Sequence, residues 1–112
     1  MKIAVSVTAS KPGAAFESRF GRAAAFAIVD TNTGEQQVVA NPAMQLRGGA
    51  GIRAAEFLAR QGVEAVISGA FGPKAYAVLQ TSGLRLYQTQ SGTVDDLVAR
   101  LLKDDLDAVE DA

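Results

Sequence analysis

The segment Lys2-Ile-Ala-Val-Ser-Val-Thr8 restricts the fold more than any other stretch of the chain. It is rich in β-branched residues and largely apolar on both faces of an extended strand, the signature of a strand covered from above and below. A chain that opens this way must supply layers for both sides of a sheet. The first strand is therefore expected at the centre of an α/β domain.

The rest of the pattern agrees. Ala24–Asp30 reads as a second strand and Gln36–Ala40 as a third, and the turn residues Thr31-Asn-Thr-Gly-Glu35 between them predict an antiparallel hairpin. Asn41-Pro42 ends the third strand, because proline lacks an N–H and holds its predecessor extended. Gly48-Gly-Ala-Gly51 opens a helix with Ile52, Ala55, Leu58 and Ala59 at helical spacing, closed by Gly62. Val63–Ser68 is a fourth strand, Gly72-Pro73 starts a second helix that runs to Gly83, and Arg85–Thr89 is a fifth strand. Thr93-Val-Asp-Asp96 resembles a capping box ahead of a third helix, striped by Val94, Leu97, Val98, Leu101 and Leu102. Residues 1–103 are thus expected to form one α/β domain, a five-stranded mixed sheet with strand two antiparallel and helices on both faces. Residues 104–112 are acidic and weakly patterned, and are expected to form a flexible tail.

The chain contains no cysteine and no histidine. Disulfides, thiolate clusters, imidazole ligands and the usual neutral-pH proton shuttle are removed together. Any metal would be held by oxygen ligands, by methionine sulphur, or as a preassembled anionic cluster through charge and hydrogen bonds. Apolar residues occur in short segments with no run long enough for a spanning helix, which predicts no membrane partner. The chain enters its first strand directly after Met1-Lys2, leaving no room for a secretory signal, and a cytoplasmic location is expected.

Net charge is −1, but its distribution is uneven: residues 1–94 carry nine Lys/Arg against five Asp/Glu, and residues 95–112 carry two against seven. A pI near 5.3 argues against a nucleic-acid partner, which needs a broad basic face. A local anion site remains compatible with it.

In such a sheet, ligands bind beyond the carboxyl ends of the parallel strands. That edge comprises the loop from Thr8 to Arg22, the segment Asn41–Gly51, the turn Gly69–Lys74 and the turn Gln90–Thr93. Five of the nine body cations lie there, Lys11, Arg19, Arg22, Arg47 and Lys74, with Glu17 as the only acid. Three of these loops lead into helix N-termini, where exposed N–H groups favour an anion, and Gly49, Gly51, Gly72 and Gly92 allow close approach to the backbone. Met44 could add a soft thioether or simply pack. Phe20 reads as core, while Phe16 and Phe71 could wall the site or belong to the core. The plainer reading is that such glycines serve turns and that such cations are solvated.

Other chemistries lack their parts. Gly49-Ala-Gly51-Ile-Arg-Ala54 matches a dinucleotide-binding fingerprint, but no strand directly precedes it and strand four ends in Ser68-Gly69 instead of an acid. A two-metal nuclease needs carboxylates beginning on the central strand, which has none, and no histidine is present to activate a serine. No catalytic residue and no direct metal ligand is assigned.

At Ser18-Arg-Phe-Gly-Arg-Ala23, Asn41-Pro42, Arg47-Gly-Gly-Ala-Gly51, Gly69-Ala-Phe-Gly-Pro73 and Gly92-Thr93, the chain resembles the dinitrogenase iron-molybdenum cofactor biosynthesis family. That family includes NifX-type carriers, NifB C-terminal domains and orange-protein-like members. The resemblance covers about residues 1–103 and implies a ribonuclease H-like fold, of the nitrogenase accessory factor kind, without nuclease chemistry. It also implies a role in carrying or protecting metal–sulphur cofactors or their precursors, with a cofactor-assembly or acceptor protein as a further partner. Many relatives have a histidine before Phe-Gly-Arg or beside the glycine-rich loop, where this chain has Arg19 and Arg47. Guanidinium groups donate hydrogen bonds but do not ligate metal, which favours an ion-paired cluster anion over a coordinated iron. The cargo expected is of molybdenum-copper sulphide or iron-molybdenum cofactor type, and orange-protein-like members, associated with molybdenum-copper sulphide clusters, fit it better than NifX-type carriers. The expected cofactor-binding residues are Lys11, Arg19, Arg22, Met44, Arg47, Gly49, Gly51, Phe71, Gly72, Lys74 and Gly92. The alternative is a regulatory protein-interaction module of the same fold that has lost metal binding. An enzyme of small anionic metabolites is disfavoured, because no acid–base pair sits at the edge.

Overall fold

In the computed structural model, β1 (Lys2–Val7) runs through the middle of a six-stranded sheet with Ile3 to Val7 sealed from solvent. Residues 1–44, 46 and 48–109 are described. β2 (Ala25–Asp30) pairs antiparallel with β1 along its whole length, and β3 (Gln36–Ala40) pairs antiparallel with β2. On the other side β4 (Ala65–Ser68) and β5 (Arg85–Gln88) run parallel to β1. The strand order is β3-β2-β1-β4-β5-β6.

The alternation along β1 divides the core into two. Ala4 faces α1 (Ala50–Ala59) and α2 (Pro73–Thr81), in a cluster with Phe20, Phe26, Leu58, Val66 and Leu79. Ile3, Val5 and Val7 face α3 (Val94–Leu102), in a cluster with Ile67, Leu97 and Leu101. Both faces of β1 are buried as its sequence requires. The Thr93 hydroxyl accepts from the Asp96 N–H at 3.1 Å and caps α3, as its sequence suggests. Among the described residues no helix is long and apolar enough to cross a membrane.

The strand count and the tail need correction. β6 (Asp107–Ala108) pairs antiparallel with β5, and the Val109 N–H donates to the Leu86 carbonyl at 2.8 Å. The sheet therefore has six strands, and residues 104–109 belong to the folded unit. Asp104 takes a left-handed backbone (φ 59°) that turns the chain off α3, and Leu106 then inserts into the α3-side core. The acids around it remain exposed. Residues 110–112 of the expected tail lie outside the described residues.

Leu106→Ala should therefore lower unfolding free energy by about 2–3 kcal/mol, as removal of a buried leucine does elsewhere. Urea titration followed by circular dichroism would measure it. A midpoint equal to that of the parent would mean that the tail adds no packing.

Candidate functional site

β1, β4 and β5 end on the same sheet edge at Val7, Ser68 and Gln88, and β3, antiparallel to β2, ends there at Ala40. The four loops leaving these ends are the ones that the sequence singles out. The longest of them is the connection from Thr8 to Ala24, which is laid down on the framework at several points.

The first attachment is along β1. Val7 and Phe16 form an isolated antiparallel bridge, the Thr8 N–H donates to the Ala15 carbonyl at 2.8 Å, and the Glu17 N–H donates to the Ser6 carbonyl at 2.9 Å. The Ser6 hydroxyl donates to the Glu17 carbonyl at 2.6 Å and lies 2.7 Å from the Ser68 hydroxyl. Ser6 has one proton, and the carbonyl can only accept, so Ser68 is the donor within the pair. Both serines are fully buried, with every polar atom partnered.

The second attachment is to the end of β4. Arg19 bridges Ala70 in parallel fashion: the Ala70 N–H donates to the Ser18 carbonyl at 2.7 Å, and the Phe20 N–H donates to the Ala70 carbonyl at 3.0 Å. Gly69 makes this approach possible, since a Cβ there would lie 2.5 Å from the Ser18 carbonyl oxygen. The 3-10 turn Phe20–Arg22 follows, with the Phe20 ring between Phe26 and Phe71 at centroid distances of 5.4 and 5.3 Å. Phe71 is thereby core, while Phe16 packs half-buried on the α3 side.

The third attachment reaches the start of α1. A Cβ on Gly21 would lie 3.5 Å from Gly51 Cα, and one on Gly51 would lie 3.4 Å from Ala75 Cβ. Gly51 therefore lies at the contact between α1, α2 and the 3-10 turn, where an added Cβ would meet its neighbours at ordinary contact distance. The buried Asn41 side chain donates to the Ala23 carbonyl at 2.9 Å and accepts from the Ala43 N–H at 2.9 Å, joining the second loop to the first.

The candidate cations divide. Arg19 is held by Glu17, whose carboxylate accepts from the Arg19 backbone N–H at 3.0 Å and from its Nε at 3.3 Å. Lys11, Arg22 and Lys74 are exposed and make no ion pair or side-chain hydrogen bond with any described residue. Met44 is 48 % exposed, so packing does not explain it. Gly49, in a left-handed conformation (φ 72°), precedes α1, and Gly72 precedes α2, and neither helix has a side-chain cap among the described residues. Their first N–H groups lack a side-chain partner of the kind that Thr93 gives α3. Gly92 lies on the α3 side, in the wall of a cleft of about 470 Å³ that Gly13–Phe16, Gln36 and Thr93–Asp95 also line. The sheet thus separates Gly92 from the α1 and α2 termini. Arg47 lies outside the described residues.

Sequence reasoning passed over Ser6, Ser68 and the role of Glu17. Two signals were present: a serine near the carboxyl end of each of two apolar strands, and an acid two residues before an arginine. Among the described residues no three His, Cys, Asp or Glu side chains gather as metal ligands. What this edge offers a ligand is positive charge and N–H groups, chemistry suited to an anion.

Comparison with known proteins agrees with the resemblance. The chain belongs to the dinitrogenase iron-molybdenum cofactor family, whose profile matches residues 1–104. An uncharacterized protein of Methanocaldococcus jannaschii is 30% identical over 113 residues, covering 98% of this chain and 92% of the relative. The apo form of the orange protein from Desulfovibrio gigas superposes with a TM-score of 0.92 at 36% identity, over 98% of this chain and 93% of that one. A NifB candidate from Thermotoga superposes with a TM-score of 0.82 at 27% identity, over 96% and 91% of the two chains. Members of this family fit a role in binding or carrying a cofactor.

Burial pushes the Glu17 carboxyl up, but the Arg19 N–H, guanidinium and charge, with the Ser18 N–H, outweigh it and hold the group below its ordinary value of 4.5. A depressed carboxylate stabilises the fold above its unfolded pKa and loses that contribution as pH falls through the folded value. The stability difference between the parent and Glu17→Gln should therefore be full at neutral pH and shrink below the usual carboxylate range. Denaturant titrations from neutral to acid pH would measure it, and a pH-independent difference would mean that the charge of Glu17 plays no part.

Proposed function

We propose that this chain is a non-catalytic carrier that holds an anionic metal–sulphur cluster, or a cofactor precursor of that class, at the carboxyl edge of its sheet. The observation that carries the reading is the combination, at one edge of the sheet, of Lys11, Arg22 and Lys74, which pair with no described residue, and the N-termini of α1 and α2, which no described side chain caps. A sulphide-rich anion accepts hydrogen bonds from guanidinium, ammonium and backbone N–H groups without needing a protein ligand to its metals. The lack of histidine and cysteine is then an ordinary feature of the site.

Arg22 sits beside Gly21, which packs on the start of α1, so it is the cation tied most directly to that N-terminus. Arg47, on sequence grounds, is its partner from the second loop. Exposed Met44 can offer a thioether to copper, the softest metal in the expected cargo. Arg19 serves the loop through Glu17 more than it serves the cargo. A molybdenum-copper sulphide cluster is the cargo favoured by the likeness to orange-protein-like members, and a cofactor-assembly or acceptor protein would receive it. No group on this edge combines a nucleophile with a base, which favours transport over transformation.

The test is anaerobic reconstitution with copper and tetrathiomolybdate, followed by desalting, visible absorption, and metal and sulphide analysis. Retained colour with stoichiometric molybdenum is expected. The variant combining Arg22→Ala and Arg47→Ala should weaken retention at least about tenfold, equivalent to roughly 1.4 kcal/mol, and added salt should weaken it in the parent. A parent that stays colourless would turn the assignment toward the protein-interaction module. A double variant that binds as well as the parent would place the cargo elsewhere.

A further inference from the structure

The two edges of the sheet are guarded very differently. β6 is two residues long, one of them Asp107, and follows Asp104 and Asp105, so an added strand would meet both a short template and concentrated negative charge. β3 is five residues long, Gln36-Gln-Val-Val-Ala40, with no charge, proline or bulge in its register. Exposed edges without such guards are templates for another strand.

Which groups of β3 face outward follows from its pairing. The Asn41 N–H donates to the Ala24 carbonyl at 3.0 Å, and the Asp30 N–H donates to the Glu35 carbonyl at 2.9 Å. Antiparallel hydrogen-bonded pairs recur every second residue, so Gln37 and Val39 direct their N–H and C=O groups inward to Ile28 and Phe26. Gln36, Val38 and Ala40 direct theirs outward. No described residue accepts from or donates to those three backbone positions outside the ladder.

We propose that β3 pairs antiparallel with β3 of a second copy of this chain, about a twofold axis at Val38. In that register Val38 faces Val38 and Gln36 faces Ala40, so the three outward residues of each copy are all used. A slip of two residues in one direction sets Gln36 against Pro42, which has no N–H. A slip in the other sets Ala40 against Gly34, which has left the strand with φ 79°. No like charges meet within the paired stretch, whereas β6 paired with itself would bring its own acids together. The product is a continuous sheet of two six-stranded halves, with both α3 layers on one face. The carboxyl edges of the two copies point in opposite directions, which leaves both edges accessible.

One short strand pair is a small interface, so the dimer should be weak and concentration-dependent, and is best sought from about 10 μM to about 1 mM. Sedimentation velocity of the parent over that range should show reversible dimerisation. Gln36→Lys with Ala40→Lys places like charges face to face across the axis, and Gln36→Glu with Ala40→Glu does the same with the opposite sign. Each variant alone should dimerise at least tenfold more weakly than the parent, and an equal mixture should recover the association. All four replacements sit at exposed positions. In the parent, exchange of the Gln36, Val38 and Ala40 amide hydrogens should slow as concentration rises, while Gln37 and Val39 remain protected throughout. The proposal is overturned by a parent that is monomeric across the range, by variants that associate as the parent does, by a mixture no stronger than its components, or by exchange that ignores concentration.

Discussion

Burial of β1 on both faces is the constraint from which the rest of this structure follows. A strand whose residues from Ile3 to Val7 are all hidden needs a neighbour on each side for its backbone and a layer on each face for its side chains. β2 and β4 satisfy the first need, and α1 with α2 on one face and α3 on the other satisfy the second. Helices on both faces require crossover connections, and the crossovers bring the loops to one edge of the sheet. The candidate site is in this sense a by-product of how the central strand is covered.

Most of that frame was legible because hydrophobic periodicity, turn residues and caps all point the same way from Met1 to Leu102. The hairpin of β2 and β3, the proline at the start of α2 and the Thr93 cap are local decisions, made by neighbouring residues, and the structure keeps each one. β6 was not legible for a complementary reason. Two residues of strand among five acids carry no periodicity, and their place depends on Leu106 finding a gap beneath α3, a tertiary event. The separation of Leu106 from Val109 by Asp107 and Ala108 hints at it only in retrospect.

The common edge of the candidate loops was legible, and the neighbours of their residues were not. Topology brings those loops to one end of the sheet, but a count of cations ignores who their neighbours are. Arg19 lies two residues from Glu17 and turns back to it, Phe71 is taken by the core with Phe20, and Gly51 sits in contact with Gly21 and Ala75. Residues with backbone or packing duties are weaker candidates, and Lys11, Arg22, Lys74 and Met44 are the exposed ones whose side chains pair with no described residue. A residue without a structural task is the better candidate for a ligand.

The Ser6 hydroxyl, lodged between the Glu17 carbonyl and the Ser68 hydroxyl, has one more implication. Together with the bridges at Phe16 and Ala70, it fixes the Thr8–Ala24 connection before any ligand arrives. A guest on this edge meets a preorganised rim and does not have to order the loop as it binds, so less of its binding energy is lost to entropy. For the cargo proposed above, residence on such a rim would be set by electrostatic grip instead of by a closing lid. Acceptance and release would then follow from the ionic surroundings and from a competing protein surface, with the fold itself unchanged.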